Sequence, residues 1–353
     1  MRRFAADGSR RRGRIQDTDF DAFALHDCPC AVSRLLNPQS METSHLLETV
    51  RSILGQPTAP FHEDAVRGEI CQQLAQCPHV TLEIDDFQNL IALYQNGDAR
   101  ARHAFAAHMD HPGFVDGKFM GGVPKEYLDR KPPVRDFGAF AMWDLPAFAV
   151  EHTRIYSRAC DDLIGCAVIV ATFQELERTG AEGACYGLFT RAEEVGLVGA
   201  TLLAKSERIP REVTIISLET SSEHGGPARM GAGVVVRAGD RTAIFDDAAT
   251  ATLARLATDA GIPFQRCLMS GGTCEGTAYQ LYGYRTAALC VALGNYHNCG
   301  PDTTIDSEFV SLADVGAMTR LCIAAASAGD APDPHAALRA KFEKTAEKYR
   351  RLL

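Results

Sequence analysis

Several apolar segments of the sequence lead directly to side chains of the types that bind divalent metal ions. The segments HAFAAH (103–108), CYGLFT (185–190), VTIISL (213–218) and TAALCVAL (286–293) lead, in that order, to His108, Glu193 with Glu194, Glu219, and His297. Open α/β sheets place their ligand sites beyond the carboxyl ends of the strands. If the four segments are strands of one sheet, these side chains meet at one edge of it.

A further acidic pair, Asp161-Asp162, stands just before a segment with helical periodicity. A helix needs one N-cap, so one aspartate is expected to cap it and the other is free for chemistry. Imidazole and carboxylate groups together favour a borderline divalent ion, and we expect two such ions per chain, zinc in preference to cobalt or manganese. Two cations ~3.5–4 Å apart need a carboxylate between them, and Asp161 is the expected bridge. The remaining ligands complete two shells: His108 and Glu219 for one ion, Glu194 and His297 for the other.

The adjacent pair Glu193-Glu194 suits a division of labour. Neighbouring residues on extended backbone point in different directions, so Glu194 can bind metal while Glu193 acts as general base toward water activated by the two cations. Asp110 lies two residues from His108, and we expect it to orient the imidazole rather than to bind metal. Tyr296 is a candidate hydrogen-bond donor to the oxyanion of the reaction, with a place in the core as the alternative.

Hydrophobic periodicity predicts the elements that carry these residues. The recurrence of Leu46, Leu47, Val50 and Leu54 at helical spacing predicts a first helix. Further helices are predicted at 62–76, 162–178, 196–206, 248–260, 276–282, 309–328 and 333–351. Strands are predicted at 79–85, 88–94, 103–108, 185–190, 213–218, 233–237 and 286–293. The alternation of strands and helices favours an α/β fold, with a mostly parallel mixed sheet that carries helices on both faces.

Composition divides the chain into four segments. Residues 1–40 are arginine-rich without periodicity and predict a disordered extension, translated sequence ahead of a start at Met41, or a basic tail for an anionic partner. Residues 41–111 form the first part of a catalytic domain, and residues 154–353 the second. Between them, residues 112–153 are rich in Gly and Pro and predict a short β-rich insertion.

The bulk composition excludes several classes of partner. The formal net charge of -9 is unfavourable for binding nucleic acid. No apolar run reaches the ~20 residues that cross a bilayer, so no membrane partner is expected. The twelve cysteines are scattered along the chain and no secretory segment is evident, so we expect reduced thiols in a cytoplasmic protein.

These residues resemble the co-catalytic zinc aminopeptidases, specifically the glutamyl aminopeptidase and tetrahedral aminopeptidase family, some of whose members are called endoglucanases. The resemblance spans residues 42–327. It rests on H-x-D at 108–110, Asp-Asp at 161–162, E-E-V-G-L-V-G-A at 193–200, and His297 shortly before Pro301, with weaker likeness at 59–67 and 271–276.

The resemblance implies a zinc-exopeptidase-like fold, Glu193 as the catalytic base, and the metal ligands His108, Asp161, Glu194, Glu219 and His297. It also implies a cis peptide bond after Asp161 and, by analogy, a homo-oligomer. Three features depart from the family. The segment between His108 and Asp161 is shorter than the usual dimerisation domain, Glu219 replaces a usual aspartate, and Thr273-Cys274-Glu275 replaces a small, mostly neutral loop.

The sequence therefore predicts an enzyme that removes N-terminal residues from short peptides. An N-acyl amino acid deacylase, acting on small amides, has the same metal constellation and differs in recognising a substrate carboxylate rather than a free amine. A catalytically inactive binding protein is a third hypothesis, although every expected ligand position carries a competent side chain. An endoglucanase is disfavoured, because Trp143 is the sole tryptophan for stacking on sugars and a pair of carboxylates at a glycosidic bond needs no histidines.

Overall fold

A computed structural model of the chain describes residues 43–224, 226–329 and 333–352. All of them belong to one unit, Met41–Leu353. The predicted disordered extension, residues 1–40, lies outside the described residues.

Helices and strands alternate along most of the described chain. The α-helices are α1 (Thr43–Leu54), α2 (Asp64–Leu74), α3 (Lys125–Asp129), α4 (Leu163–Thr179), α5 (Val198–Ser206), α6 (Asp247–Asp259), α7 (Glu275–Leu281), α8 (Leu312–Ser327) and α9 (Ala336–Tyr349). The strands are β1 (Val80–Ile84), β2 (Leu90–Asn96), β3 (His103–His108), β4 (Gly113–Val115), β5 (Lys118–Met120), β6 (Val134–Asp136), β7 (Phe140–Trp143), β8 (Ala149–Glu151), β9 (Arg154–Ser157), β10 (Gly183–Thr190), β11 (Thr214–Ser222), β12 (Val234–Gly239), β13 (Phe264–Leu268), β14 (Thr286–Gly294) and β15 (Glu308–Ser311).

The sequence-based elements are confirmed, with boundaries that shift by a few residues. The helix predicted at 309–328 is the largest correction, because its first turn is the strand β15 and α8 begins only at Leu312. Ser311 caps α8 with its side chain, which accepts the backbone N–H of Asp314. The periodicity also missed β13, whose residues alternate between partly buried and exposed without a continuous apolar face.

An eleven-stranded mixed sheet forms the centre of the fold. Its order is β1-β2-β10-β3-β11-β14-β15-β9-β8, with β12 paired to β14 and β13 to β12. The central strands β10, β3, β11 and β14 run parallel, as do β12 and β13, and the remaining pairs are antiparallel. The predicted mixed sheet is confirmed, and its parallel part coincides with the strands whose ends carry the candidate ligands.

Helices cover both faces of the sheet, as predicted. On β3, Phe105 and Ala107 pack into a core shared with α1, α4 and α8, whereas Ala104 and Ala106 pack against α5 and α7. Helix α4 lies in the middle of the larger core, and every residue from Leu163 to Phe173 is buried. The strand period of two therefore sends alternate side chains to two apolar layers, which fixes the register of the central strands.

A second, four-stranded sheet lies between His108 and Asp161. Its order is β5-β4-β7-β6, and all of its pairs are antiparallel. The rings of Phe114, Phe119 and Trp143 pack together there, with centroid separations of 4.8–5.4 Å. The chain then returns to the edge of the main sheet through β8 and β9.

The register of the parallel strands brings their carboxyl ends together. His108 at the end of β3 is paired with Thr190 at the end of β10, three residues before Glu193. Glu219 lies on the neighbouring strand β11, opposite Cys290 of β14. Across the described residues, no helix is long and apolar enough to cross a membrane.

Candidate metal centre

Asp161 lies between two histidines at the edge of the main sheet where the parallel strands end. Its Oδ1 atom is 3.5 Å from Nε2 of His108, and its Oδ2 atom is 3.6 Å from Nε2 of His297. All three side chains are almost completely buried. One carboxylate therefore turns one oxygen toward each imidazole.

The candidate ligands form overlapping groups around this carboxylate. Within each group, one potential ligand atom per residue lies within 4.8 Å of the others: His108, Asp161 and Glu219; Asp161, Glu194 and His297; and His108, Glu193 and Glu194. The first two groups match the two shells expected from the sequence and share Asp161. The third group puts Glu193 beside both shells. The fold thus brings together every residue that the sequence analysis selected as a ligand or base.

The donor set fits divalent cations. Oδ1 of Asp161 and Oε1 of Glu194 are buried and have no hydrogen-bond partner, and leaving a buried acceptor unsatisfied costs about 1–3 kcal/mol. Carboxylates also outnumber imidazoles, and a cluster with this excess of negative charge is unfavourable away from water unless cations compensate it. The imidazole and carboxylate atoms are of the kinds that borderline divalent metals bind.

Burial and mutual charge perturb the acids and bases of the site. Burial raises the pKa of Glu193 well above its ordinary value, and the charges of Glu194, Glu219 and Asp110 raise it further against the opposing effect of His108. Burial likewise raises the pKa of Glu219 to about 8, although His108 and Arg237 counteract it.

The pKa values of the central group move in the opposite sense. Burial alone would raise the pKa of Asp161, but the facing imidazoles of His108 and His297 outweigh burial and lower it. Burial alone would lower the pKa of each histidine, yet the surrounding carboxylates raise both pKa values well above the ordinary range. The opposite directions of these shifts show that the Asp161 carboxylate and the two imidazoles interact closely.

Asp110 contacts more of the site than the sequence indicated. The Nδ1 atom of His108 lies 3.1 Å from the backbone carbonyl oxygen of Asp110 and 3.5 Å from its Oδ1. The same carboxylate accepts the backbone N–H groups of Glu193 at 2.9 Å and Glu194 at 3.1 Å. Asp110 therefore ties the end of β3 to the loop that carries the two glutamates.

The segment that carries the small four-stranded sheet reaches the site through a glycine carbonyl. Nδ1 of His297 donates to the carbonyl oxygen of Gly122 at 2.9 Å. Because a carbonyl oxygen only accepts, Nδ1 carries the proton and Nε2 is free to face Asp161 and Glu194. Nε2 is 3.2 Å from Oε2 of Glu194.

One of the two aspartates before α4 is the helix cap, as the sequence predicted. Asp162 is the N-cap, and its Oδ1 accepts the backbone N–H of Gly165 at 3.1 Å. The peptide bond between Asp161 and Asp162 is cis, as the resemblance implied. Tyr296 stacks on the ring of His297 at a centroid separation of 3.8 Å and is 39% exposed, so it is not a core residue.

Two buried residues at the site were missed by the sequence analysis. His111 lies 2.7 Å through Nδ1 from the carbonyl oxygen of Asp161. Glu308, the first residue of β15, accepts backbone N–H groups at Cys160, Asp161 and His297. His111 directly follows the H-x-D triplet, which is a local signal, whereas Glu308 falls at the edge of a predicted helix and carries none.

The match to known proteins agrees with this geometry. A sequence model of the M42 glutamyl aminopeptidase family matches residues 134–321, more than half of the chain. The chain belongs to this family. It is a peptide hydrolase of an aminopeptidase family whose members depend on metal, and the resemblance drawn from its motifs is confirmed.

The matches between this aminopeptidase and individual relatives extend over nearly the whole length of each relative. A protein of Acetivibrio thermocellus, provisionally named an aminopeptidase, is 23% identical over 81% of this chain and 99% of its own. The TET aminopeptidase of a marine sediment archaeon of the Thaumarchaeota has a TM-score of 0.70 at 20% identity, over 83% of this chain and 99% of that one. The TET1 peptidase of Pyrococcus horikoshii has a TM-score of 0.65 at 22% identity, over 80% and 99%. These structures share the fold, so the zinc-exopeptidase-like fold class is confirmed.

Proposed function

We propose that the chain is a two-metal aminopeptidase that removes N-terminal residues from short peptides. Zinc is the proposed metal, with cobalt or manganese as substitutes. Asp161 is the proposed bridge, with His108 and Glu219 completing one shell and Glu194 and His297 the other. The observation that carries the proposal is the Asp161 carboxylate, which faces one imidazole with each of its oxygens at 3.5 and 3.6 Å.

Two bound cations would polarise the scissile carbonyl and lower the pKa of water toward neutrality. Glu193 takes a proton from the attacking water, whose oxygen adds to the carbonyl carbon. As the carbon–nitrogen bond breaks, Glu193 returns that proton to the leaving amine. Glu193 suits both steps because one of its carboxylate oxygens lies within 4.8 Å of ligand atoms of His108 and Glu194, so it can accept the proton and return it without leaving the site.

The surrounding residues hold these groups in place. Asp110 fixes the backbone at both Glu193 and Glu194, so the base and the adjacent ligand move as one unit. Tyr296 is the proposed donor to the oxyanion that develops on the carbonyl oxygen, because its exposed ring lies against the proposed ligand His297.

The family match favours an aminopeptidase over the deacylase and the inactive binding protein. We extend the proposal to a homo-oligomer in the cytoplasm, with residues 41–111 and 154–353 as the catalytic domain and 112–153 as its insertion. The TET1 peptidase of Pyrococcus horikoshii can assemble into a tetrahedron or a large octahedral shell, which supports self-association. All ten cysteines in the described part of the chain are free thiols, as a reducing compartment requires.

The test compares metal-reconstituted wild type with Glu193→Gln on peptides with a free or an acetylated N-terminus. We expect cleavage of the free-amine set alone, a fall in kcat of at least ~100-fold in the variant, and two metals per chain in both proteins. Cleavage of the acetylated set would reassign the enzyme as a deacylase. Wild-type protein that retains no metal after reconstitution would overturn the two-metal proposal.

A further inference from the structure

Glu308 is a buried carboxylate whose oxygens face backbone N–H groups of two distant segments. Its Oε2 accepts from Cys160 at 2.7 Å and from Asp161 at 3.1 Å. Its Oε1 accepts from His297 at 2.8 Å. The side chain is completely buried. A carboxyl group that accepts three backbone N–H groups in a buried site holds their segments in place, because a donor that lost its partner there would remain unsatisfied.

The two segments that Glu308 joins carry two of the proposed ligands. Asp161 belongs to two of the three candidate metal groups, whereas His297 belongs only to the one that it shares with Asp161 and Glu194. Glu308 itself is held by the sheet, since it opens β15 and is paired with Ser157 of β9. The separation between Asp161 and His297 is therefore fixed by a residue of the sheet rather than by a loop.

His111 makes a second connection between the same segments. Its Nδ1 donates to the carbonyl oxygen of Asp161 at 2.7 Å, and its Nε2 lies 3.1 Å from Oδ1 of Asn298. The backbone of Asp161 is thus bound at its N–H by Glu308 and at its carbonyl by His111. Neither contact uses the Asp161 carboxylate, which leaves both of its oxygens for other partners.

We propose that Glu308 is a positioning residue that sets the distance between Asp161 and His297, and thereby the metal affinity of the Asp161–Glu194–His297 group. The inference rests on the proposed two-metal function. The His108–Asp161–Glu219 group depends less on Glu308, because His108 and Glu219 lie on β3 and β11, which do not pair with β15. Loss of Glu308 should therefore weaken one metal site much more than the other.

Two substitutions separate hydrogen bonding from charge. Glu308→Gln keeps the size of the side chain, but its amide NH2 must face an N–H group that the carboxylate now accepts. Glu308→Asp keeps the charge and loses the reach of one methylene group. Asp314→Asn is the matched control, because Asp314 is also buried and accepts backbone N–H groups, from Gly231 at 2.6 Å and Gly233 at 2.8 Å, without contacting a proposed ligand.

The experiment titrates the full-length, chelator-treated proteins with Co²⁺ and follows both calorimetric binding and visible absorption. For the wild type we expect two equivalents with distinct spectra. For both Glu308 variants we expect one equivalent close to wild-type affinity, the other weakened at least tenfold, and an altered spectrum for the weakened site. Asp314→Asn should keep both affinities and both spectra, even if its thermal stability falls. If the role of Glu308 were merely structural, the Glu308 variants would behave in the same way.

The outcomes separate this inference from the function beneath it. Wild type that binds no metal overturns the proposed function. Wild type that binds two metals, with Glu308 variants within threefold of it at both sites, overturns only the role of Glu308. Equal weakening of both sites also overturns the selective role, and wild-type behaviour of Glu308→Asp alone would assign the effect to charge rather than to position. If Glu308→Gln does not fold, Glu308→Asp carries the test.

Discussion

His297 donates its Nδ1–H to the carbonyl oxygen of Gly122 at 2.9 Å. This bond joins a proposed ligand after β14 to a loop of the small four-stranded sheet. Tyr127 of the same segment donates from its hydroxyl to the carbonyl oxygen of Gly300 at 3.0 Å. The short insertion is therefore part of the support of the site, because the outer hydrogen bond of a metal-binding histidine fixes its tautomer and orientation.

The first prediction is that Gly121→Ala displaces the Gly122 carbonyl and weakens metal binding. Gly121 has a φ of +128°, and a Cβ there would lie 2.6 Å from a side-chain carbon of Pro112. The chain must shift at the residue beside Gly122, so we expect an affinity loss of ~10- to 100-fold at the His297 site. Metal content after dialysis against a weak chelator measures this loss, and Trp143 fluorescence reports on the insertion.

Gly138→Ala is the control for backbone strain in the same insertion. Gly138 also has a positive φ, of +91°, but a Cβ there would meet nothing within 4 Å. It should reduce stability by roughly 1–2 kcal/mol without changing the metal content. Equal metal loss in both variants would point to unfolding of the insertion rather than to displacement of the carbonyl.

The second prediction concerns the unequal weight of the proposed ligands. Asp161 belongs to two candidate metal groups and Glu219 to one. Asp161→Asn should therefore lose both metals, while Glu219→Gln should keep the ion bound by Glu194 and His297. Elemental analysis of purified, reconstituted protein checks the stoichiometry. An Asp161→Asn protein with two metals per chain would contradict the assignment of Asp161 as the bridge.

Much of the fold could be predicted because its elements have strong local signals. The Leu46, Val50 and Leu54 spacing gives α1, and unbroken apolar runs give the central strands. The strand β15 was missed because Glu308–Ser311 runs without a turn into α8, and apolar residues on both sides fit one helical pattern. The attachment of the antiparallel edges could not be predicted, because β2 joins the sheet through β10 and β9 joins it through β15, and both partners are distant in sequence.

Some residues of the site could likewise be predicted from the sequence and others could not. The candidate ligands follow apolar strands, so their types and positions were visible in the sequence. The contacts of Glu308 with Cys160 and Asp161 cross 148 and 147 positions of the chain. Such contacts depend on how β15 packs beside β9, and no local pattern encodes that arrangement. The Gly122 carbonyl is equally invisible, since it acts through the backbone and any residue would provide the same atom.

The third prediction is a pH-dependent stability caused by Glu275. This glutamate is completely buried, its Oε1 is hydrogen-bonded to the hydroxyl of Thr190, and its Oε2 has no partner. Burial raises its pKa from 4.5 to about 7, against opposing effects of His108 and Thr190. Between these values the folded state holds a proton that the unfolded state has lost, so stability falls as the pH rises through that window.

Glu275→Gln removes this dependence. In chelator-treated protein, the free energy of unfolding of the variant minus that of wild type should increase by about 2–3 kcal/mol between pH 4.5 and pH 8, because the wild type loses stability over that range. Urea unfolding at several pH values measures the difference. Thr190→Val removes the hydrogen bond that lowers the pKa of Glu275. It should therefore raise that pKa further and move the window to higher pH. A difference between Glu275→Gln and wild type that is constant with pH would contradict the shifted pKa.

The last prediction concerns the ion pair of Glu63 and Arg191, which supports the loop that leads to Glu193. Glu63 accepts from Nε of Arg191 at 2.6 Å and from the backbone N–H of Ala192 at 3.1 Å, and the glutamate is completely buried. Glu63→Ala leaves a mostly buried guanidinium without its charge partner, so we expect a stability loss of about 3 kcal/mol.

The same change should lower kcat, because the backbone at Ala192 loses an anchor directly before the proposed base. Asp144→Ala is the matched control, since Asp144 pairs with Arg135 on the surface, where the side chains are 43% and 54% exposed. Removing such a pair should change stability by less than ~1 kcal/mol and leave kcat unchanged. Urea unfolding and steady-state kinetics on the same preparations provide both comparisons. If Glu63→Ala loses stability but keeps wild-type kcat, Asp110 alone is sufficient to hold Glu193 and Glu194 in place.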